Sequence, residues 1–253
     1  IVLLALICGV AVFSSCETWF DVQPKTQVKG DDLFATESGY RTALLGVYTL
    51  MASNSLYGEE LSMELLDVLA QYYSISSGSH GYYEAKNFNY DSEIVKAKVA
   101  TIWLYMYKGI ANLNNLLENI EANRSKLGKV HYTLIKGEAL GLRAYLHFDL
   151  LRMFAPACVV GENEWAIPYC DELTRVPQIQ LTTAQVLERI LGDIDAGLAC
   201  LKEVDVYSPE RSVTELTEDE SRLMEYRKNR MNYLALNALK ARVLLWQGDV
   251  NSA

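Results

Sequence analysis

Apolar residues recur at three- and four-residue spacing along most of this chain, the periodicity of helices that bury one face. In residues 36–51, Tyr40, Leu44, Val47 and Tyr48 fall in line behind Thr36, whose hydroxyl suits a helix N-cap. A second helix is expected over residues 57–73, with Leu61, Leu65, Val68 and Leu69 on one side. The longest stripe starts at Asp91 or Ser92 and runs to Glu121, through Val99, Trp103, Tyr107, Ile110, Leu113, Leu117 and Ile120. Trp103 and Tyr107, one turn apart within it, read as core. Residues 131–154 follow, burying Leu142, Tyr145, Leu146 and Leu150, and Pro156 closes them. Residues 155–181 carry three prolines and read as a loop. Thr182 with Gln185 has the form of a capping box, and the helix it starts carries Val186, Ile190, Ile194 and Leu198. Thr217 with Glu220 repeats the signature for a shorter segment. The last complete helix runs from Asn232 to Gln247, with Gly248 as its stop. VYTLM and YYSIS are short and sit inside or beside helical patterns, so no sheet is expected. The pattern predicts an all-α fold.

Within this array ALGLRAYL (139–146) and ALKARVLL (238–245) share Ala, Leu, Arg and Leu at the same offsets. The second continues into WQGDVNSA, giving Ala241, Leu244, Gly248 and Ala253 the spacing of small and apolar positions in a tetratricopeptide repeat. Such a repeat is a helical hairpin whose small residues let two helices approach closely. Its partner helix would begin beyond Ala253, so the chain is expected to be truncated there.

The first residues break the pattern. IVLLALICGVAVF is continuously apolar but shorter than the ~20 residues that cross a bilayer. It has the length of a signal-peptide apolar region, and Ser14 and Ser15 supply small residues before Cys16. Small residues before a cysteine resemble a bacterial lipobox, although Phe13 stands where leucine is usual. The alternative, a buried N-terminal helix with an ordinary cysteine, fits poorly with ETWFDVQPKTQVKGDD, which is polar and carries Pro24 and Gly30. The expectation is therefore a lipoprotein signal over 1–15, clipped at its start. Cys16 would be the lipid anchor, 16–30 a tether and 31–253 one helical domain. Acyl chains on Cys16 would hold the protein on a membrane without a spanning helix.

Composition narrows the partners. The formal charge of −9 and the absence of a Lys/Arg cluster argue against nucleic acid and against an anionic-lipid patch. Among five cysteines no CxxC occurs, and no Cys/His set has zinc-ligand spacing, so no metal or other cofactor is implied. Cys158 and Cys170 flank an irregular stretch and would bridge only in an oxidising compartment; isolated buried thiols are the preferred reading.

The order of these segments carries a resemblance. A lipobox and FDVQP tether precede LFATESGYRTALLGVYTLM, IWLYMYKGIANLNNLLENI, GEALGLRAYLHFDLLRMF, AIPY at 166–169 and LNALKARVLLWQGD. Together they resemble the N-terminal part of SusD/RagB-family outer-membrane lipoproteins, over nearly the whole chain. The resemblance implies an all-α fold of tetratricopeptide-like hairpins and a surface lipoprotein seated on a SusC-like TonB-dependent transporter. It also implies capture of a nutrient, commonly a glycan and in some members a peptide. Members are longer, which would make residues 31–253 an incomplete N-terminal domain.

Sugar capture needs aromatic faces for the pyranose ring and polar groups for its hydroxyls. QYYSISSGSHGYYEAKNFNY, residues 71–90, supplies Tyr72, Tyr73, His80, Tyr82, Tyr83, Phe88 and Tyr90 between two helices. These are the candidate ligand contacts, against the plainer reading of tyrosines packed beneath a surface loop. No HExxH, GxSxG or Gly-rich phosphate loop is present, and no catalytic residue is assigned. His147 and Asp149 are two apart on a helix and point to different faces. Glu138 and Arg143 are expected to orient helices in the core or to pair at its edge. A tetratricopeptide-type scaffold for a protein or peptide partner remains the rival to nutrient binding.

Overall fold

The computed structural model describes residues 30–253; Cys8, Cys16 and the expected signal and tether lie outside the described residues. The helices are α1 (Gly30–Leu33), α2 (Glu37–Met51), α3 (Leu65–Leu69), α4 (Tyr83–Lys86), α5 (Glu93–Ala122), α6 (Lys129–Phe154), α7 (Cys158–Gly161), α8 (Thr183–Leu201), α9 (Glu218–Met224) and α10 (Tyr233–Gln247). Local chemistry sets their starts. Thr36 accepts from the Gly39 amide, both expected capping boxes form at Thr182 and Thr217, and Asn232 caps α10. Gly248 ends α10 at φ +94°, a left-handed conformation that glycine adopts without a Cβ penalty.

Helix α6 is the hub. It packs against α2, α5, α8, α9 and α10 and buries residues all round, including Glu138, Arg143, His147 and Asp149. Among the described residues its contact with α8 is the most extensive. There the two backbones nearly touch. A Cβ on Gly137 would stand 2.8 Å from Leu201 Cγ and 3.0 Å from the Gly197 carbonyl oxygen. A Cβ on Gly197 would stand 3.0 Å from the Gly137 carbonyl oxygen. Only glycine allows this approach.

Two expectations are corrected. Residues 57–63 are turns rather than helix, and helix is confined to α3. Gly58 is folded against the Ala52 and Ser53 carbonyls, where a Cβ would stand 2.5 and 2.8 Å from the oxygens. Glu60 is drawn inward to Lys98 at 2.5 Å, and its amide reaches back to the Asn54 carbonyl. Leu61, Leu65 and Val68 are still buried as expected, but by wide turns and one short helix. Second, a sheet exists. β1 (Trp165–Pro168) pairs antiparallel with β2 (Gln180–Thr182), Trp165 opposite Thr182 and Pro168 opposite Gln180. Pro168 needs no ladder donor at the end of so short a ribbon.

The stripe on α5 is also rotated in its first half. Val95, Ile102 and Met106 are buried, whereas Val99, Trp103 and Tyr107 are half-buried against the core. Trp103 meets Phe154 edge-on at 4.8 Å, and the Tyr107 hydroxyl donates to the Pro168 carbonyl at 2.8 Å. The thiols of Cys158, Cys170 and Cys200 are free, and among the described residues no helix is long and apolar enough to cross a membrane.

The hub contact yields a test. Gly137→Ala should destabilise the protein by about 1–3 kcal/mol through overpacking, read as a lower urea midpoint at constant slope. An unchanged midpoint would remove the close approach as a determinant of the fold.

Candidate functional site

The segment 71–90 forms a loop pinned at its base. Gln71 adopts φ 62° as the chain leaves α3, and its side-chain amide donates to the Val68 and Lys86 carbonyls at 3.1 and 2.8 Å. The Lys86 ammonium donates to the Ile75 carbonyl at 2.8 Å, and buried Ile75 and Ala85 anchor the loop in the core. Phe88 is half-exposed and left-handed at φ 56°, a conformation that costs a bulky residue ~1–2 kcal/mol and is held by the surrounding turns.

A cleft of about 420 Å³ opens between this loop and the 63–68 segment. Tyr73, His80 and Tyr82 line it with Ser74 and Ile75; Met63, Glu64 and Val68 form the other wall. The structure therefore brings three of the seven sequence candidates together. Tyr72, Phe88 and Tyr90 are exposed outside it, and Tyr83 is packed against the core.

The three differ in what they can offer. Tyr73 is 45 % exposed, and its hydroxyl donates to the Met63 carbonyl at 2.8 Å, which fixes the ring while leaving a face open. Tyr82 is more committed. Lys98 lies over its ring at 4.2 Å and donates to its hydroxyl at 3.0 Å, while that hydroxyl donates to Glu64. Burial, then the Glu64 and Glu60 carboxylates, push its phenol well above the ordinary value, so it remains a donor at every physiological pH. His80 stands beside it, with ring centroids 6.0 Å apart. Sequence reasoning missed Glu60, Glu64 and Lys98, because their relation to Tyr82 exists only after folding.

A larger hollow of about 470 Å³ lies over Tyr169, Arg189 and Asp193, but its polar groups already serve one another. Arg143 grips Asp193 bidentately, with both contacts at 2.7 Å, and donates to Asn114 Oδ1 and the Asp171 carbonyl at 2.9 and 3.0 Å. Tyr169 donates to Asp193 at 2.5 Å, and Arg189 pairs with Asp171 at 3.3 Å. His147 completes this cluster. The Cys170 amide donates to Nε2 at 3.1 Å, so Nδ1 carries the proton and donates to the Arg143 carbonyl at 2.9 Å. Tyr169 stacks on the imidazole at 3.9 Å. The AIPY stretch thus holds the ribbon to α6.

A second buried cluster lies elsewhere on α6. Arg227 donates to Glu138 Oε2 at 2.5 Å and to Asp205 Oδ2 at 2.7 Å, all three side chains being fully buried. Tyr48 donates to the other Glu138 oxygen at 2.5 Å and accepts from the Met231 amide at 2.8 Å. As expected, Glu138 and Arg143 are core organisers, and His147 and Asp149 serve different neighbours. Among the described residues no group of three or more His, Cys, Asp or Glu side chains is arranged to hold a metal ion.

The chain matches a known protein family over most of its length. The family profile described as SusD-like, starch-binding associating with outer membrane, matches residues 18–216. The chain belongs to the SusD-like family. A SusD-like protein of Formosa agariphila is 24% identical over 149 residues, covering 56% of this chain and 28% of its own length. Among solved structures, a SusD superfamily protein of Bacteroides thetaiotaomicron superposes with TM-score 0.66 at 22% identity, over 85% of this chain and 43% of that one. A laminarin-binding SusD-like protein superposes with TM-score 0.59 at 20% identity, over 83% and 40%. The helical fold expected from the sequence is that of these proteins, and the chain spans less than half the length of each.

Burial pulls the His147 pKa from 6.5 to about 3, so the folded state keeps it neutral where the unfolded chain takes up a proton. The stability this contributes is fully present above pH 6.5 and is lost as pH falls from there toward 3. The imidazole resonances of His147 should therefore stay in the neutral Nδ1–H form from pH 8 to pH 5, as followed by NMR. Titration near pH 6.5 would contradict the burial described.

Proposed function

We propose that this chain is the N-terminal, ligand-facing part of a non-catalytic surface glycan-binding protein that hands oligosaccharide to a SusC-like TonB-dependent transporter. The cleft beside Tyr73 carries the proposal: it sits on the SusD-like fold and pairs an open, fixed aromatic face with polar groups at Ser74, His80 and Tyr82. Pyranose rings present apolar C–H faces to such a ring and hydroxyls to such groups. The family description, and a structural neighbour described as laminarin-binding, support a glycan as the ligand class. Recognition here is stacking and hydrogen bonding, without covalent chemistry.

In the same proposal, residues 1–15 are a lipoprotein signal, Cys16 is the acylated anchor, 16–30 is the tether and 31–253 is the helical domain, held on the outer-membrane surface. A family description that names association with outer membrane supports this placement. A second reading, a scaffold for a protein or peptide partner, is favoured by one observation. Val159, Val160, Trp165, Val176 and Ile179 all expose large apolar side chains on α7 and around the ribbon. Docking on the transporter through these side chains would reconcile the two readings.

Affinity electrophoresis of the full-length protein across a polysaccharide panel tests the cleft. Tyr73→Ala should bind the retarding glycan about three- to ten-fold more weakly, as loss of one aromatic stacking face implies, while Tyr72→Ala migrates as the parent does. Retardation of Tyr73→Ala equal to the parent would sink the site. For the anchor, Cys16→Ala should abolish incorporation of labelled fatty acid; retained label would exclude it.

A further inference from the structure

The aromatic loop is held firmly at two points and hardly at all between them. Ile75 is buried with its carbonyl on the Lys86 ammonium, and Ala85 is fully buried. Residues 76–81 are exposed. Among the described residues their hydrogen bonds run only to one another and to the two amides that follow. The Ser77 and Ser79 hydroxyls bond each other at 2.8 Å, and the His80 amide donates to the Ser77 carbonyl at 3.1 Å. His80 in turn accepts from the Tyr82 amide at 3.2 Å and from the Tyr83 amide at 2.9 Å. A Cβ on Gly78 or Gly81 would meet nothing within 4 Å. A segment with so few outside contacts opens at small cost.

One side chain ties this segment down. The Tyr82 ring packs against the core, and its hydroxyl donates to Glu64, lies 3.1 Å from Glu60 Oε1 and accepts from Lys98 at 3.0 Å. Glu64 belongs to the wall opposite the loop, so the tie joins the two sides of the Tyr73 cleft. Lys98 pairs with Glu60 at 2.5 Å, and both line a different hollow with Ser55, Ala97 and Thr101. Glu60 is 9 % exposed, and its second oxygen, Oε2, is enclosed without a hydrogen-bond partner among the described residues. An enclosed acceptor that lacks a donor disfavours the tied form, and hydration on release relieves it.

We infer that residues 76–82 are a strap over the Tyr73 cleft, closed by the Tyr82–Glu64 hydrogen bond and opened by its release, with Ile75 and Ala85 as its fixed ends. The use of this motion in admitting ligand rests on the cleft being the binding site proposed above; the motion itself does not. Closed, the strap puts His80 and Tyr82 on the cleft lining; released, it withdraws both from the 63–68 wall. Tyr73 keeps its own bond to the Met63 carbonyl throughout, so the aromatic face stays while the polar half of the site comes and goes. Lys98 is a positioning residue for the closed form, since it lines no part of the cleft and acts on it through Tyr82.

Hydrogen exchange of the full-length protein, read by mass spectrometry over residues 76–83, tests the strap without any ligand. Tyr82→Phe keeps the ring and removes the tie. Exchange there should quicken about ten-fold or more, as loss of a hydrogen bond to charged groups implies, while α6 peptides keep the parent rate. Lys98→Met should quicken it as well, from outside the cleft. In Val68→Cys, alkylation of that residue by iodoacetamide should rise about ten-fold when Tyr82→Phe is added, because Val68 lines the cleft at 2 % exposure and gains access as the strap opens. Unchanged exchange in either variant, quickening in Tyr82→Phe that α6 shares, or alkylation indifferent to Tyr82→Phe would each overturn the strap. The expected shifts in a protein that no polysaccharide retards would uphold the strap and sink only the glycan reading.

Discussion

The near-contact of Gly137 with Gly197 is the constraint from which the rest follows. With no side chain between them, α6 and α8 close to backbone distance, and α6 is enclosed on every side. A helix so placed loses water around whatever polar residues it carries, and each must then find a partner or cost several kcal/mol. α6 carries four in its middle and C-terminal turns, and each is answered from a different element. Glu138 is met by Arg227 and Tyr48, Arg143 by Asp193 and Asn114, His147 by the Cys170 amide, and Asp149 by Tyr57. Removing one partner of such a buried pair costs ~3–5 kcal/mol, because the other charge is stranded.

Those partners are what position the surface. Arg143 and His147 hold residues 170–171 by their backbone, and so fix the ribbon and the exposed apolar side chains around it. Asp149 holds Tyr57 at the start of the turns that lead into α3 and the aromatic loop. α3 and the turns before it wall the cleft beside Tyr73, giving it Met63, Glu64 and Val68. Loops that recognise ligands need such a footing, since any freedom left in the unbound site is lost on binding.

Features written in neighbouring residues were legible in the sequence: both capping boxes, the Asn232 start, the Gly248 stop and the long stripes of α5 and α6. Features decided across the chain were not. Residues 57–63 carry a helical period but are turns, because Gly58 accepts close carbonyls and Glu60 answers a lysine 38 residues away. The strands, of four and three residues, are too short for alternation to register. At the candidate site, composition singled out the aromatic loop but not which of its residues line the cleft. Lys98 covers one tyrosine and the Met63 carbonyl steadies another, and neither residue looks like a ligand contact in sequence.

The Arg227 cluster also bears on how the chain reaches its fold. Tyr48 meets Glu138 across 90 residues and the Met231 amide across 183, and Arg227 meets Glu138 across 89. Closing loops of that length costs chain entropy before any contact returns it, and contacts so distant in sequence slow folding. The cluster can therefore lock only when α2, α6 and the segment leading into α10 have already converged. Until then its charges stay hydrated, since Glu138 and Tyr48 have their partners at Arg227 and Met231. The ion pairs that hold the middle of α6 are thus a product of long-range convergence and cannot guide the first helix-to-helix contacts.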